Sequence, residues 1–337
     1  MKPGGRIGAY TLLYQCGKGA FGTVYLAQHE DGRYVALKAV SLLGDAGDRE
    51  LQALESYKKC SEQDCLLRIH QVVMEDEFFY YTMEPADNLA GDTSKNYIPC
   101  TLTEILKQHG KLSSRQTTEL ISQLLNVLEI IHSHDLVHRD IKPANIFWVN
   151  KKVKLGDIGL LANENSMTCN AGSQGFMPKS DSCISPNSSA VDLFALTRLI
   201  YCCLSGRRVS DYPELEFTDD IFENGKDLLQ IMNMRDDEIL NSSVRDFKRI
   251  LTPVSSQPTM VAASTISYTF SSSKRESDSL SSLSILSNIA SAESWIKKNG
   301  LGLLGAAAAG GVLISMAPGV LPLVGLGLLG RKLFKKK

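Results

Sequence analysis

The stretch His138-Arg139-Asp140-Ile141-Lys142-Pro143-Ala144-Asn145 constrains this chain more than any other part of it. Apolar residues recur at helical spacing from about Ser113 to His134, which predicts a long helix before it. Ile146-Phe-Trp-Val149 reads as a strand after it. Between the two stand a carboxylate, an ammonium group and a carboxamide. Asp140 can accept a hydroxyl proton, Lys142 can neutralise a transferring phosphoryl group, and Asn145 can offer an oxygen to a metal ion. Downstream, Val153-Lys-Leu-Gly-Asp157-Ile-Gly159 reads as a strand ending in Asp-apolar-Gly. A carboxylate there can hold Mg²⁺, a hard ion that prefers a few carboxylates together with phosphate oxygens.

The first forty residues have a different character. Tyr10–Tyr14, Thr23–Ala27 and Tyr34–Lys38 are β-rich, and an Asp31-Gly32 turn signal precedes the third. Gly17-Lys18-Gly19-Ala20-Phe21-Gly22-Thr23-Val24 lies between the first two. Its glycines let backbone approach phosphate oxygens without side-chain interference. The same glycine spacing marks dinucleotide folds, but there it opens a helix, whereas a strand follows here. Lys38 ends a Val-Ala-Leu-Lys strand, and a lysine on an interior strand needs an anion, phosphate or carboxylate. Arg49–Leu54 is a helical pattern with Leu51 and Leu54 toward a core. Glu50 is the preferred partner for Lys38. Glu55 is the rival, but in its register the apolar residue expected one turn later is Lys59.

Taken in order, the glycine loop, the Val-Ala-Leu-Lys strand, the Glu-bearing helix, the His-Arg-Asp loop and Asp-x-Gly resemble a eukaryotic-like serine/threonine protein kinase over residues 10–252. The resemblance implies an α+β, bilobal fold, with a small β-rich N-lobe and a helical C-lobe. It implies ATP and Mg²⁺ as cofactors and proteins as substrates. In that reading Asp140 orients and deprotonates the acceptor hydroxyl, and Lys142 stabilises charge on the γ-phosphoryl group. Lys38 holds the α- and β-phosphates, kept in place by Glu50. Asn145 and Asp157 bind Mg²⁺. Gly17, Lys18, Gly19, Ala20, Phe21 and Gly22, with Val24 and Ala36, enclose the nucleotide. Phe79–Ala86 looks like the hinge: Met83 is at the gatekeeper position, and backbone atoms near Glu84 and Ala86 hydrogen-bond adenine.

More narrowly, Tyr97-Ile-Pro99, Asp157-Ile158-Gly159 and Gly172-Ser-Gln-Gly-Phe-Met-Pro178 resemble bacterial kinases with an Asp-Ile-Gly loop. Three departures fall in the second lobe. Lys179 follows Pro178 where the family has Glu, Leu240 stands near the place of that Glu's Arg partner, and Thr197 replaces a Gly. Asp192 resembles the residue that braces the His-Arg-Asp loop. Ser166, Thr168 and Ser173 lie between Asp157 and Pro178, and Thr168 is the candidate for a phosphate received by Arg139. Two functions follow: a membrane-anchored kinase that also phosphorylates itself, or an ATP-binding pseudokinase scaffold.

The membrane enters through the rest of the chain. The 337 residues carry 36 basic and 37 acidic side chains, a net charge of -1, so a globally basic nucleic-acid binder is excluded and no nucleic-acid partner is expected. Eight cysteines without a secretory signal read as reduced structural thiols. Residues 1–9 read as an N-terminal extension and 253–294 as a Ser-rich flexible linker. Residues 295–337 are Gly/Ala-rich, and Leu301–Gly330 holds no charged residue. That run exceeds the roughly 20 residues needed to cross a bilayer. Lysines and Arg331 flank it and Trp295 sits near one edge. It reads as a transmembrane tail, a single span or a hairpin broken at Pro318-Gly319, with the kinase-like part in the cytoplasm. Oligomeric state is left open.

Overall fold

The computed structural model describes residues 1–252, apart from residues 20–21, 44, 61–62, 92–95, 164–171, 186–187 and 217. Up to residue 83 strands predominate. β1 (Arg6–Ile7), β2 (Tyr10–Gly19), β3 (Gly22–His29), β4 (Tyr34–Ser41), β5 (Ile69–Met74) and β6 (Phe78–Met83) form one antiparallel sheet in the order β1-β2-β3-β4-β6-β5. Each predicted strand runs longer than its β-rich centre. The residues before Tyr10 join the sheet, with Arg6 opposite Thr11 and Ile7 opposite Tyr10.

Alternation decides which face each side chain takes. Leu12, Tyr25, Ala27, Leu37 and Tyr80 share one buried cluster. Lys38, next in line, points to the other face, where α1 (Asp45–Tyr57) brings Glu50 to it. Leu51, Leu54 and Tyr57 bury α1 against the lobe, and the Tyr57 hydroxyl donates to the Leu67 carbonyl at 2.6 Å. Register shifts in β2, between Leu12 and Tyr14 and between Gln15 and Gly17, sharpen its twist toward the glycine turn. Gly22 closes that turn at φ 144°, and a Cβ there would run into the Ala39 carbonyl. Only glycine fits it.

The second lobe is helical. It contains α2 (Leu102–His109), α3 (Ser114–Ser133), β7 (Leu136–Val137), β8 (Ile146–Val149), β9 (Lys152–Leu155), β10 (Ala162–Asn163), α4 (Ala190–Ser205), α5 (Asp219–Asn224), α6 (Lys226–Met232), α7 (Asp236–Leu240) and α8 (Val244–Leu251). α3 matches the predicted helix within a residue at each end. Ser113 caps it, accepting from the Gln116 N–H while the Gln116 side chain accepts from the Ser113 N–H. Thr117, Leu120, Ile121, Leu124, Leu128 and Ile131 form its buried stripe. α4 is buried along nearly its whole length. Thr197, where the family has Gly, is wholly buried there, and its hydroxyl donates to the Phe194 carbonyl at 2.7 Å. The polar group is therefore satisfied inside its own helix.

The segment after Pro178 meets α7 through an uncharged donor. The Ser182 hydroxyl donates to Asp236 at 2.5 Å. Leu240 is exposed at the end of α7. Losing a buried Glu and its Arg partner together leaves no stranded charge, which alone would cost several kcal/mol.

The lobes are joined by residues 84–87, and the far end of this link is fastened tightly. The Asp87 N–H donates to the Trp148 carbonyl at 2.7 Å, and the Cys100 N–H donates to the Asp87 carbonyl at 2.8 Å. The Asp87 carboxylate accepts the N–H groups of Asn150 and Lys151, each at 2.8 Å. Both residues hold positive φ in the β8–β9 turn.

Among the described residues no helix is long and apolar enough to cross a membrane, and the seven cysteines are free thiols. The predicted linker at 253–294 and tail at 295–337 lie outside the described residues, as do Ala20, Phe21, Ser166 and Thr168.

Candidate active site

β7 and β8 hold the two ends of the His138–Asn145 loop, and α4 braces its middle. The buried Asp192 carboxylate accepts the His138 N–H at 2.9 Å and the Arg139 N–H at 2.8 Å, and it lies 2.9 Å from His132 Nε2. Burial raises its pKa, but the hydrogen bond and charge of His132, with His138, outweigh it, so the carboxyl titrates below the ordinary value. Arg139 takes φ 67°, a conformation a long side chain adopts only when its surroundings fix it. Asp192 supplies that fixing.

The loop's polar side chains converge on Asp140. Asn145 Nδ2 donates to the Asp140 carbonyl at 2.7 Å and to its Oδ2 at 2.8 Å. Lys142 Nζ donates to the same Oδ2 at 2.7 Å. The other carboxylate oxygen receives the Ser173 hydroxyl at 2.7 Å, and that hydroxyl accepts from Lys142 Nζ at 2.8 Å. A serine hydroxyl thus already sits between a carboxylate that can take its proton and an ammonium group that can balance charge beside it. Sequence reasoning named Ser173 only as one hydroxyl of its segment.

Across the cleft, Lys38 Nζ donates to Glu50 Oε1 at 2.7 Å and to Asp157 Oδ1 at 2.8 Å. The rival Glu55 instead accepts from Lys58 at 2.9 Å. Burial lowers the Lys38 pKa, but the two carboxylates outweigh it and hold the ammonium form above the ordinary lysine range. The carboxylates themselves diverge. Burial dominates at Glu50, whose side chain is 0% exposed, and pushes its pKa up despite Lys38. Asp157 is 32% exposed by side chain, and Lys38 holds its carboxyl down against the burial. Tyr81 adds a donor to Glu50 Oε1 at 2.6 Å. Gly159 leaves room for this arrangement, because a Cβ on it would run into Glu50 Oε2.

Between the lobes lies a cleft of about 350 Å³. Gly17, Lys18, Gly19, Gly22, Val24, Ala36, Lys38, Met83, Glu84 and Ala86 line its upper side and hinge. Lys142, Asn145 and Asp157 line the lower side. Asp140 and Glu50 are buried just behind Lys142 and Lys38, in direct contact with them. The residues fit an adenine nucleotide. Among the described residues no protein group pairs with the Glu84 carbonyl or the Ala86 N–H, which leaves the hinge one acceptor and one donor. Space is open on the side-chain side of Gly17 and Gly19. They fit Mg²⁺ as well. Asn145 commits its nitrogen to Asp140 and so keeps its oxygen available, and Asp157 gives Lys38 only one of its two oxygens. Two such oxygens are what Mg²⁺ takes from a protein when phosphates complete its shell. Sequence reasoning missed Tyr97, whose hydroxyl donates to the Ala86 carbonyl at 2.8 Å.

Comparison with known proteins agrees with this geometry. The chain is 31% identical over 247 residues to the interferon-induced, double-stranded RNA-activated protein kinase of Rattus norvegicus, covering 65% of this chain and 47% of that one. It is 28% identical over 220 residues to the probable serine/threonine-protein kinase zyg-1 of Caenorhabditis elegans, covering 61% and 28%. It is 29% identical over 216 residues to the carbon catabolite-derepressing protein kinase of Candida albicans, covering 61% and 33%. The chain therefore spans less than half the length of each of these curated relatives. The protein kinase domain model matches residues 10–273, well over half of the chain. On that match, the chain belongs to the protein kinase family, with serine/threonine kinases among its relatives.

Proposed function

We propose that this chain transfers the γ-phosphoryl group of ATP to serine and threonine hydroxyls of proteins, including its own. Protein kinases generally use ATP and Mg²⁺. One observation carries the reading: the Ser173 hydroxyl lies between Asp140 and Lys142 at hydrogen-bond distance from both. That is the seat an acceptor hydroxyl needs. Asp140 takes the proton of the attacking hydroxyl, and Lys142 stays beside the charge that develops. Lys38, locked between Glu50 and Asp157, anchors the phosphates, and Asn145 and Asp157 hold the metal. Bound ATP supplies the phosphoryl group, and Mg²⁺ screens its charge. The full chain with Mg²⁺ and γ-labelled ATP should label itself and a generic basic protein, and Asp140→Asn should lower both by at least about 100-fold. Equal labelling by the variant would refute the assignment.

A second reading, an ATP-binding scaffold, draws on the altered second lobe, with Lys179 after Pro178 and Leu240 exposed. It predicts nucleotide binding without transfer in the same assay. The uncharged Leu301–Gly330 run and its basic flanks support membrane anchoring, and the ATP reading favours the cytoplasmic face for the kinase domain. The full chain should stay in the membrane fraction through a carbonate wash, and a chain lacking 295–337 should not. In intact cells the domain should resist added protease. Tyr97-Ile-Pro99 and Asp157-Ile158-Gly159 support the narrower place among bacterial kinases of the Asp-Ile-Gly type. A phylogeny of kinase domains that groups the chain with eukaryotic sequences would count against it.

A further inference from the structure

Residues 88–91, just past the hinge, are held against residues 96–99. Asn88 organises the contact. Its Nδ2 donates to the carbonyls of Gly91 at 2.8 Å and Asn96 at 3.1 Å. Its Oδ1 accepts the N–H groups of Ala90 at 3.1 Å and Ile98 at 3.0 Å. The Leu89 N–H donates to the Ile98 carbonyl at 2.8 Å. So held, Tyr97 lies along the cleft, with its hydroxyl on the Ala86 carbonyl at 2.8 Å and its ring 6.3 Å from that of Tyr14 on β2.

The consequence concerns the base. Three backbone groups of the hinge belong to residues that line the cleft: the Glu84 carbonyl, the Ala86 N–H and the Ala86 carbonyl. The first two are left to a ligand, and Tyr97 holds the third. Adenine presents a donor at N6 and an acceptor at N1, which complement the two groups left open. Guanine in the same position presents an acceptor at O6 and a donor at N1. Acceptor would then face acceptor and donor would face donor. Guanine can bind only by sliding along the hinge, so that O6 accepts from the Ala86 N–H and N1–H donates to the Ala86 carbonyl. That carbonyl already accepts from the Tyr97 hydroxyl, and Tyr97 lines the same cleft.

We propose that Tyr97 is a specificity-determining residue, which disfavours guanine nucleotides by taking one lone pair of the Ala86 carbonyl. This rests on the ATP reading above and names the residue that sets the purine. The test is nucleotide binding by the full chain, measured calorimetrically with ATP, GTP and inosine triphosphate and without reference to transfer. Inosine triphosphate has guanine's O6 and N1–H but lacks its exocyclic amine. Wild type should bind ATP and discriminate against both other nucleotides. Tyr97→Phe keeps the ring and frees the carbonyl, and should narrow the ATP-to-GTP and ATP-to-inosine-triphosphate affinity ratios by about three- to tenfold, the worth of one neutral hydrogen bond. Unchanged ratios in a folded Tyr97→Phe overturn the proposal. Should that variant not fold, wild type decides alone: inosine triphosphate binding within twofold of ATP overturns it, and rejection as strong as that of GTP supports it. A wild type that binds no nucleotide removes the ATP reading and this inference together, whereas ATP binding with unaltered ratios removes only the inference.

Discussion

Lys38, Glu50 and Asp157 show how one cation can hold two carboxylates whose surroundings differ. Glu50 is wholly enclosed and depends on Lys38 and Tyr81 for its partners. Lys38→Met should therefore do more than stop phosphoryl transfer. It leaves a buried carboxylate without its counter-charge, a loss of about 3–5 kcal/mol, or roughly 10 °C in melting temperature for a domain of this size. Lys38→Met/Glu50→Gln should recover most of that loss while remaining inactive, because it removes the stranded charge as well. A double variant that melts no higher than the single one would show that Glu50 is not strained by losing Lys38. Asp192 makes a prediction in pH. Its folded pKa lies below the ordinary 3.8. Its contribution is thus complete above that value and is lost as pH falls through the lower folded pKa. As pH falls below 3.8 the urea midpoint of wild type should fall more steeply than that of Asp192→Asn. Lys38, Glu50 and Asp157 were legible through the order of the motifs that carry them, and Asp140, Lys142 and Asn145 because phosphoryl chemistry needs those side-chain types within a few positions of one another. The place of Ser173 was not, since its contact with Asp140 spans 33 residues.

At the scale of elements, α1 is positioned by what its neighbour lacks. A Cβ on Gly159 would meet the Glu50 carboxylate, so Gly159→Ala should push Glu50 away from Lys38. Misplacement of about 1 Å can cost on the order of 100-fold in rate. We expect a loss of that order in labelling, together with a lower melting temperature, because Glu50 is then buried apart from its counter-charge. Unchanged activity would show that α1 moves without consequence. The cap of α3 offers a contrasting case, in which stability should change and chemistry should not. Ser113→Ala removes the hydroxyl half of its capping box, the acceptor of the Gln116 N–H, and should cost about 1 kcal/mol, read as a lower urea midpoint. The helices and strands around the site were legible from period and turn signals, and α3 most clearly, because its buried stripe is continuous over five turns. The strand at Arg6–Ile7 was not, because two residues carry no periodicity. Nor was the Asn88 loop, whose order comes from one side chain bonding backbone on both sides of it.

For the whole molecule, the cleft joins two lobes that share few covalent links, so ligand and stability are coupled. ATP at about 100 times its Kd should add about 2.7 kcal/mol, and Mg²⁺ should raise the melting temperature further in wild type. Asp157→Asn should abolish the added effect of Mg²⁺, and chelation should bring wild type to the same melting temperature as the variant with ATP. An equal Mg²⁺ response in both would take Asp157 out of metal binding. The Asp87 clamp has a mechanical side as well. Because Asp87 is tied by four hydrogen bonds, two to the β8–β9 turn, one to Trp148 on β8 and one to Cys100, it moves with the lower lobe. Lobe rotation is then confined to Glu84, Pro85 and Ala86, and Pro85 has its φ locked by its ring. The axis of breathing lies along the back edge of the cleft. A twist at that pivot carries the upper sheet with it, as one arm of a lever, and Gly17 and Gly19 of β2 travel on that arm over the cleft.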